Sequence, residues 1–311
     1  MRVAAVDCGT NSLRLLIADV TGQVLTEVDR RMEVVRLGEG VDRTGRIADK
    51  ALARAGEAAG EYAGVMRDHG VENARMVATS ATRDASNAEV FVEQMQDILG
   101  LTPQVISGEE EAELSFRGAL AGLGGLSGPG IVVDLGGGST ELVLGDADTG
   151  VVESAHSMRI GCVRLTERHE LGKHVEMEEL IPVRADIDDA LRAAQFEVPV
   201  QQAQWLVGVA GTVTTVTAHA LRLPAYDSGL IHGTMLGADD VLAACAELVS
   251  MPVSALLLLP YMHPGRADVI GAGALVWANI VQAVAREAGI DKVTTSEHDI
   301  LDGIALAVGA G

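Results

Sequence analysis

Two stretches of the chain share one rhythm of apolar and polar positions. "AVDCGTNSLRLLI" (5–17) and "VVDLGGGSTELVL" (132–144) each run two apolar residues, Asp, one residue, Gly, two residues, Ser, two residues and an apolar run. Asp7 answers Asp134, Gly9 answers Gly136 and Ser12 answers Ser139, at a constant offset of 127 residues (134 − 7). An apolar run that stops at Asp and resumes after a glycine turn predicts a strand, a tight turn and a returning strand. The offset is too long for a solenoid repeat. It predicts two domains of one fold, each opening on the same hairpin.

Between and after the hairpins the pattern alternates between helical and strand periods. Residues 48–69, 87–100 and 107–120 predict helices, with strands at 74–80 and 103–106. Gly100 is a helix stop, and Ser107 is an N-cap ahead of acids that suit the helix dipole. Strands are expected to about residue 158, then helices near 176–195, 212–221, 238–249, 265–288 and 299–309. "WLVGVAGTVTTVTAHA" (205–220) predicts strand, glycine turn and helix, a further phosphate or ribose contact at Gly211 and Thr212. No linker interrupts the series, so the two α/β domains are expected to share a close central cleft.

Composition narrows the class. In 311 residues, 48% are hydrophobic but only 3% aromatic, so the cores must be aliphatic. Forty-four acidic against 23 basic residues give a net charge of -21, which argues against nucleic acid as a partner. An anion would need local donors and a metal ion to offset that field. The three cysteines, Cys8, Cys162 and Cys245, form no CxxC pair and suit a reducing compartment. The N-terminal apolar run meets Asp7 at once, and stretches such as "ALLLLP" (255–260) are too short for a bilayer. A cytoplasmic protein without membrane contact is expected. The eight histidines show no metal-ligand spacing.

The hairpins carry the candidate chemistry. Glycine admits positive φ and close approach of a ligand to the backbone. Successive N–H groups in such a turn form an anion nest. Gly9, Thr10, Asn11 and Ser12 form the first candidate phosphate turn, and Gly136, Gly137, Gly138 and Ser139 the second. Asp7 and Asp134 are placed to hold a divalent cation or its waters beside the phosphate. A single loop of this kind is as well read as a tight structural turn; two matched loops favour the phosphate cradle.

Taken with these loops, the chain resembles the Ppx/GppA family of exopolyphosphatases and guanosine pentaphosphate phosphohydrolases, within the actin-like superfamily. The resemblance rests on "DCGTNSLRLLIAD" (7–19), "ATSATRDASNA" (78–88), "ISGEEEAELSFRGA" (106–119), "VVDLGGGSTELVLG" (132–145), "GVAGTVTT" (208–215), "PGRADVIGAGA" (264–274) and "SEHDILDGIAL" (296–306). It implies an α/β fold of two actin-like (ribonuclease H-like) domains: residues 1–117 with 299–311, and residues 118–298. It also implies a dimer. Long members carry an additional helical C-terminal region. This chain ends at Gly311, and short polyphosphates are therefore the expected better substrates.

The resemblance implies roles residue by residue. Glu111, before Ala112 in "EEEA", matches the catalytic glutamate that orients or deprotonates water. Glu109, Glu110 and Glu113 lie near it, one or more of them read as merely solvated. Arg83 matches a phosphate-contacting arginine, read as lying in a loop after a strand. Asp134 and Glu141 would hold Mg2+ (or Mn2+) or the attacking water, with Asp7 a further metal candidate. Arg14 stands where the second hairpin has Glu141 and is expected to contact substrate. Arg266 and Asp268 are read as an internal helix-start pair, and His298 as structural.

The leading expectation is an exopolyphosphatase releasing orthophosphate from inorganic polyphosphate. Hydrolysis of pppGpp to ppGpp is the alternative. An actin-like ATPase or sugar kinase, and a non-catalytic phosphate sensor, are two further readings. The "GEEEA" segment disfavours the first, and the joint presence of Glu111, Asp134, Glu141 and Arg83 disfavours the second. One substrate is expected to be gripped by both hairpins.

Overall fold

The computed structural model describes residues 1–171 and 177–310. The chain divides into two compact units, Met1–Ala121 with Ile300–Gly311, and Gly122–Asp299. Each is an α/β unit around one mixed sheet.

In the first unit the strand order is β3-β2-β1-β4-β5, with β1 (Arg2–Cys8), β2 (Ser12–Thr21), β3 (Val24–Val34), β4 (Asn73–Ala78) and β5 (Gln104–Val105). β1, β2 and β3 are antiparallel, and β1, β4 and β5 parallel. This is the ribonuclease H-like order of actin-like domains. Successive side chains of a strand point to opposite faces, and β1 shows the consequence. Ala4, Val6 and Cys8 enter one core with the alanine-rich helix Asp49–Asp68 and the helix Ala88–Leu99. Val3 and Ala5 enter another with the helices Gly108–Leu120 and Ile300–Ala310. A Cβ on Gly303 would fall 2.0 Å from the Leu114 carbonyl oxygen, so only glycine lets the last helix lie this close to the helix bearing Glu111. Asp302, fully buried, is fixed by Arg30 of β3 at 2.6 Å.

In the second unit the order is β10-β11-β9-β6-β7-β8, with β6 (Pro129–Leu135), β7 (Thr140–Asp146), β8 (Val151–Met158), β9 (Leu206–Val209), β10 (Met235–Gly237) and β11 (Lys292–Thr295). The β6–β7–β8 meander is antiparallel, and β9 lies parallel to β6 on one side and β11 on the other. Trp277, from the helix Ile270–Ala288, fills the space over Gly208, where a Cβ would fall 2.6 Å from its ring.

The echo read in the sequence continues beyond the hairpins. The β2–β3 ladder shifts register between Ile17 and Ala18, and the β7–β8 ladder between Leu144 and Gly145. The two irregularities lie 127 residues apart (144 − 17), the same offset as the turns.

Several boundaries differ from expectation. β4 ends at Ala78, and Arg83 lies on a short helix, Ser80–Arg83, rather than in a loop. The helices expected near 176 and 265 begin at Leu180 and Ile270, each preceded by a 3-10 turn. Residue 176 lies outside the described residues. β3, β10 and β11 carry little apolar periodicity. β3 and β10 are edge strands, and β3 alternates polar residues along both faces.

Candidate active site

The first hairpin places Asp7 at the end of β1, directly across the ladder from Arg14. Arg14 donates to Asp7 Oδ2 from Nη2 at 2.6 Å and from Nε at 3.0 Å. Arg14 is thus bound to Asp7. It also brings a fixed cation to the carboxylate read as a metal candidate.

The turn that follows is tied down through its carbonyls. Gly9 N–H closes the hairpin on Ser12 O at 3.0 Å. Thr10 O accepts from Gly38 N–H, and Asn11 O from Arg36 N–H, both at 2.8 Å. In a trans peptide the carbonyl and the following N–H point in opposite directions, and among the described residues no peptide bond is cis. The N–H groups of Asn11 and Ser12 therefore face away from the Arg36–Gly38 segment. The Thr10 hydroxyl meets the Ser80 hydroxyl at 2.9 Å.

Ser80 starts the short helix that ends at Arg83. Arg83 Nη1 donates to Ile106 O at 2.9 Å and to Glu111 Oε2 at 3.1 Å. Ser107 caps the helix Gly108–Leu120 by accepting from Glu110 N–H. That cap turns Glu111 inward, where it is buried, while Glu109 and Glu113 are exposed. Glu110 pairs with Arg75, and hydrogen bonding from Ser107 holds the Glu109 carboxyl below its usual range. Of the four acids, Glu111 alone joins the arginine expected beside phosphate.

The second hairpin repeats the plan with different chemistry. Asp134 stands directly across the ladder from Glu141, and both are buried. Ser157, opposite Glu141 on β8, donates its hydroxyl to Glu141 Oε1 at 2.7 Å. Gly136 O accepts from Cys162 N–H at 3.1 Å, and Gly137 O from the N–H groups of Val163 at 2.9 Å and Arg164 at 3.0 Å. Gly138 O accepts from Arg164 Nε at 2.6 Å. By the same peptide geometry, the N–H groups of Gly137, Gly138 and Ser139 all face away from the short helix Cys162–Arg168. Three successive N–H groups facing one way are the arrangement that an anion nest uses.

One of the two reasons given for the turn glycines is corrected. Gly9 and Gly136 do not use positive φ; that conformation falls instead on Arg36 (φ 48) beside the first turn and on Ala210 (φ 72) at the third. Gly161 and Gly38, packed beside the two turns, serve close approach. A Cβ on Gly161 would lie 2.5 Å from the Gly137 carbonyl, and a Cβ on Gly38 would lie 2.3 Å from Thr10 Cγ2. Sequence reading missed this second pair, although "RLG" (36–38) and "RIG" (159–161) follow the third strand of each meander.

At the third turn, the helix Ala210–Ala220 starts directly from β9, whose Val209 pairs with Asp134. The Arg266 guanidinium lies on Gly211, where a Cβ would be 2.4 Å from Arg266 Cζ. Arg266 thus belongs to this turn, beyond the helix-start role expected of it. The Thr212 hydroxyl is packed inward: Gly273 approaches it, and it hydrogen-bonds Cys162, whose thiol burial pushes up to about 11. Gly211 and Thr212 can therefore offer backbone groups, while the Thr212 side chain serves the core.

Among the described residues no cluster of three or more His, Cys, Asp or Glu is arranged to hold a metal. The Asp134–Glu141 pair still fits Mg2+, which binds through one or two carboxylates and completes its shell with water and substrate phosphate.

A family profile described as the Ppx/GppA phosphatase family matches residues 16–308. The chain belongs to the Ppx/GppA phosphatase family. It is 48% identical over 316 residues to exopolyphosphatase 2 of Mycobacterium tuberculosis, covering 99% of this chain and 98% of that protein. A crystal structure of an exopolyphosphatase-like protein superposes with a TM-score of 0.96 at 44% identity, over 99% and 98% of the two chains. The Ppx/GppA enzyme of Aquifex aeolicus follows at 0.80 and 28%, over 99% of each chain. A guanosine-5'-triphosphate,3'-diphosphate pyrophosphatase of Vibrio atlanticus is 37% identical over 169 residues, 53% of this chain and 33% of that protein. Among the described residues, no helix is long and apolar enough to cross a membrane.

Proposed function

We propose that this chain is an exopolyphosphatase that hydrolyses the terminal phosphoanhydride of inorganic polyphosphate and releases orthophosphate. The observation that carries the reading is the second hairpin, with three outward N–H groups beside two buried, facing carboxylates. The near full-length similarity to an exopolyphosphatase supports it.

Roles follow from the chemistry each residue offers. The turn N–H groups bind phosphate oxygens without a charged side chain. Arg83 neutralises phosphoryl charge and fixes the rotamer of Glu111. Glu111 accepts a proton from the water that attacks the terminal phosphorus. The P–O bond to the chain breaks, and the shortened polymer leaves with the bridging oxygen. Asp134 and Glu141 would hold Mg2+ or Mn2+, which supplies charge neutralisation on the phosphate oxygens.

Hydrolysis of pppGpp is the second reading, favoured by similarity to the Vibrio atlanticus pyrophosphatase over half the chain. The deciding experiment compares phosphate release from tripolyphosphate, long-chain polyphosphate, pppGpp and ATP under one condition. Exopolyphosphatase function requires kcat/KM for polyphosphate to exceed that for both nucleotides. Turnover of pppGpp alone would select the second reading.

A further inference from the structure

We propose that Arg164 is a positioning residue of the second phosphate turn, fixing the Gly138–Ser139 peptide so that the Ser139 N–H faces the anion. The proposal rests on reading that turn as a phosphate site. Arg164 is 6% exposed, and its Nε donates to Gly138 O at 2.6 Å. Its own N–H donates to Gly137 O at 3.0 Å. One residue therefore holds two successive peptide planes.

The second plane needs holding. Glycine leaves the adjoining peptide the widest choice of orientation. A rotated Gly138–Ser139 peptide would exchange its N–H for a carbonyl oxygen, and an oxygen would then face the phosphate. A hydrogen bond from a guanidinium is stronger than a neutral one and opposes that rotation. The first hairpin shows the equivalent plane held through a backbone donor. There the equivalent carbonyl, on Asn11, accepts from Arg36 N–H at 2.8 Å. Asn11 and Gly138 share the 127-residue offset (138 − 11), and a residue with a side chain restricts its own φ and ψ. The turn with glycine at this position is the one that recruits a buried arginine.

The test compares Arg164→Met, which keeps the stem and removes every donor, with Arg164→Lys, which keeps a charged donor. Arg168→Met, at the other end of the same helix, is the control. Affinity for a non-hydrolysable imidotriphosphate is measured by calorimetry with Mg2+, and the Gly138–Ser139 peptide is examined in a crystal structure of the Met variant. Arg164→Met is expected to weaken binding about ten- to hundredfold, the scale of one charge-assisted hydrogen bond, and to rotate the peptide. Arg164→Lys should fall between Met and wild type, and Arg168→Met should bind as wild type does. An unrotated peptide, or Met binding as tightly as Lys, overturns the proposal, because the residue then only fills space. If Met folds poorly, the Lys variant decides: weakened binding with the peptide displaced supports the proposal, and an unmoved peptide, whatever the binding, overturns it. Failure of the wild type to bind imidotriphosphate would refute the phosphate reading, while the peptide orientation still decides the role of Arg164.

Discussion

Asp134 and Glu141 are direct cross-strand partners, two buried carboxylates facing each other where Asp7 faces Arg14 in the first hairpin. The first pair is neutralised by its own guanidinium, and the second is the pair proposed to hold Mg2+ or Mn2+. Phosphate release should therefore stop in excess EDTA and return with Mg2+ or Mn2+. Asp134→Asn should raise the metal concentration giving half-maximal rate. Undiminished turnover in EDTA would remove this pair from the mechanism.

Glu111→Gln preserves size and hydrogen bonding but removes the proton acceptor. We expect kcat for polyphosphate to fall about a hundredfold or more, with substrate affinity and Tm near wild type. A kcat near that of the wild type would assign Glu111 to structure, as the partner of Arg83.

Gly161→Ala should misplace the phosphate turn, because its Cβ would stand 2.5 Å from the Gly137 carbonyl. Overpacking of this kind costs about 1–3 kcal/mol, and a shifted turn should lower kcat/KM about tenfold or more. Gly60→Ala is the contrast. It lies in the helix Asp49–Asp68 with no atom near its would-be Cβ. It should raise Tm and leave kcat/KM unchanged. Equal effects of the two changes on kcat/KM would contradict the close-approach account.

His219 gives the second unit a pH dependence. It is 1% exposed, between the Tyr261 hydroxyl at 2.6 Å and Glu247 at 2.9 Å. Burial outweighs Glu247 and holds the imidazole below its ordinary value. The unfolded chain then binds the proton more readily, so this contribution is complete above about pH 6.5 and is lost as pH falls toward the lower folded value. Tm should drop as pH falls below about 6.5, with a shallower drop in His219→Gln. Parallel slopes would exclude His219 as the cause.

The hairpins were legible because their signal lies in side chains: Asp, Gly and Ser recur at fixed spacing around apolar runs. Glu111 could be separated from Glu109, Glu110 and Glu113 only by resemblance, since composition treats four clustered acids alike. Burial and Arg83 make the distinction physical. Arg164 was invisible because its partner is a backbone carbonyl, which no residue type announces. The part played by Gly161 was invisible for a related reason. Sequence suggests positive φ, whereas the crowding comes from Gly161, far along the chain. β3 escaped because an exposed edge strand needs no apolar alternation.

The placement of Trp277 over Gly208 has a spectroscopic consequence. The chain has two tryptophans, and both Trp205 and Trp277 belong to the unit Gly122–Asp299. Intrinsic tryptophan emission therefore reports that unit alone, while circular dichroism reports helices and strands of both. Urea titrations followed by the two signals separate cooperative from stepwise unfolding without any label: coincident midpoints mean the halves melt together, and displaced midpoints give the order in which they come apart.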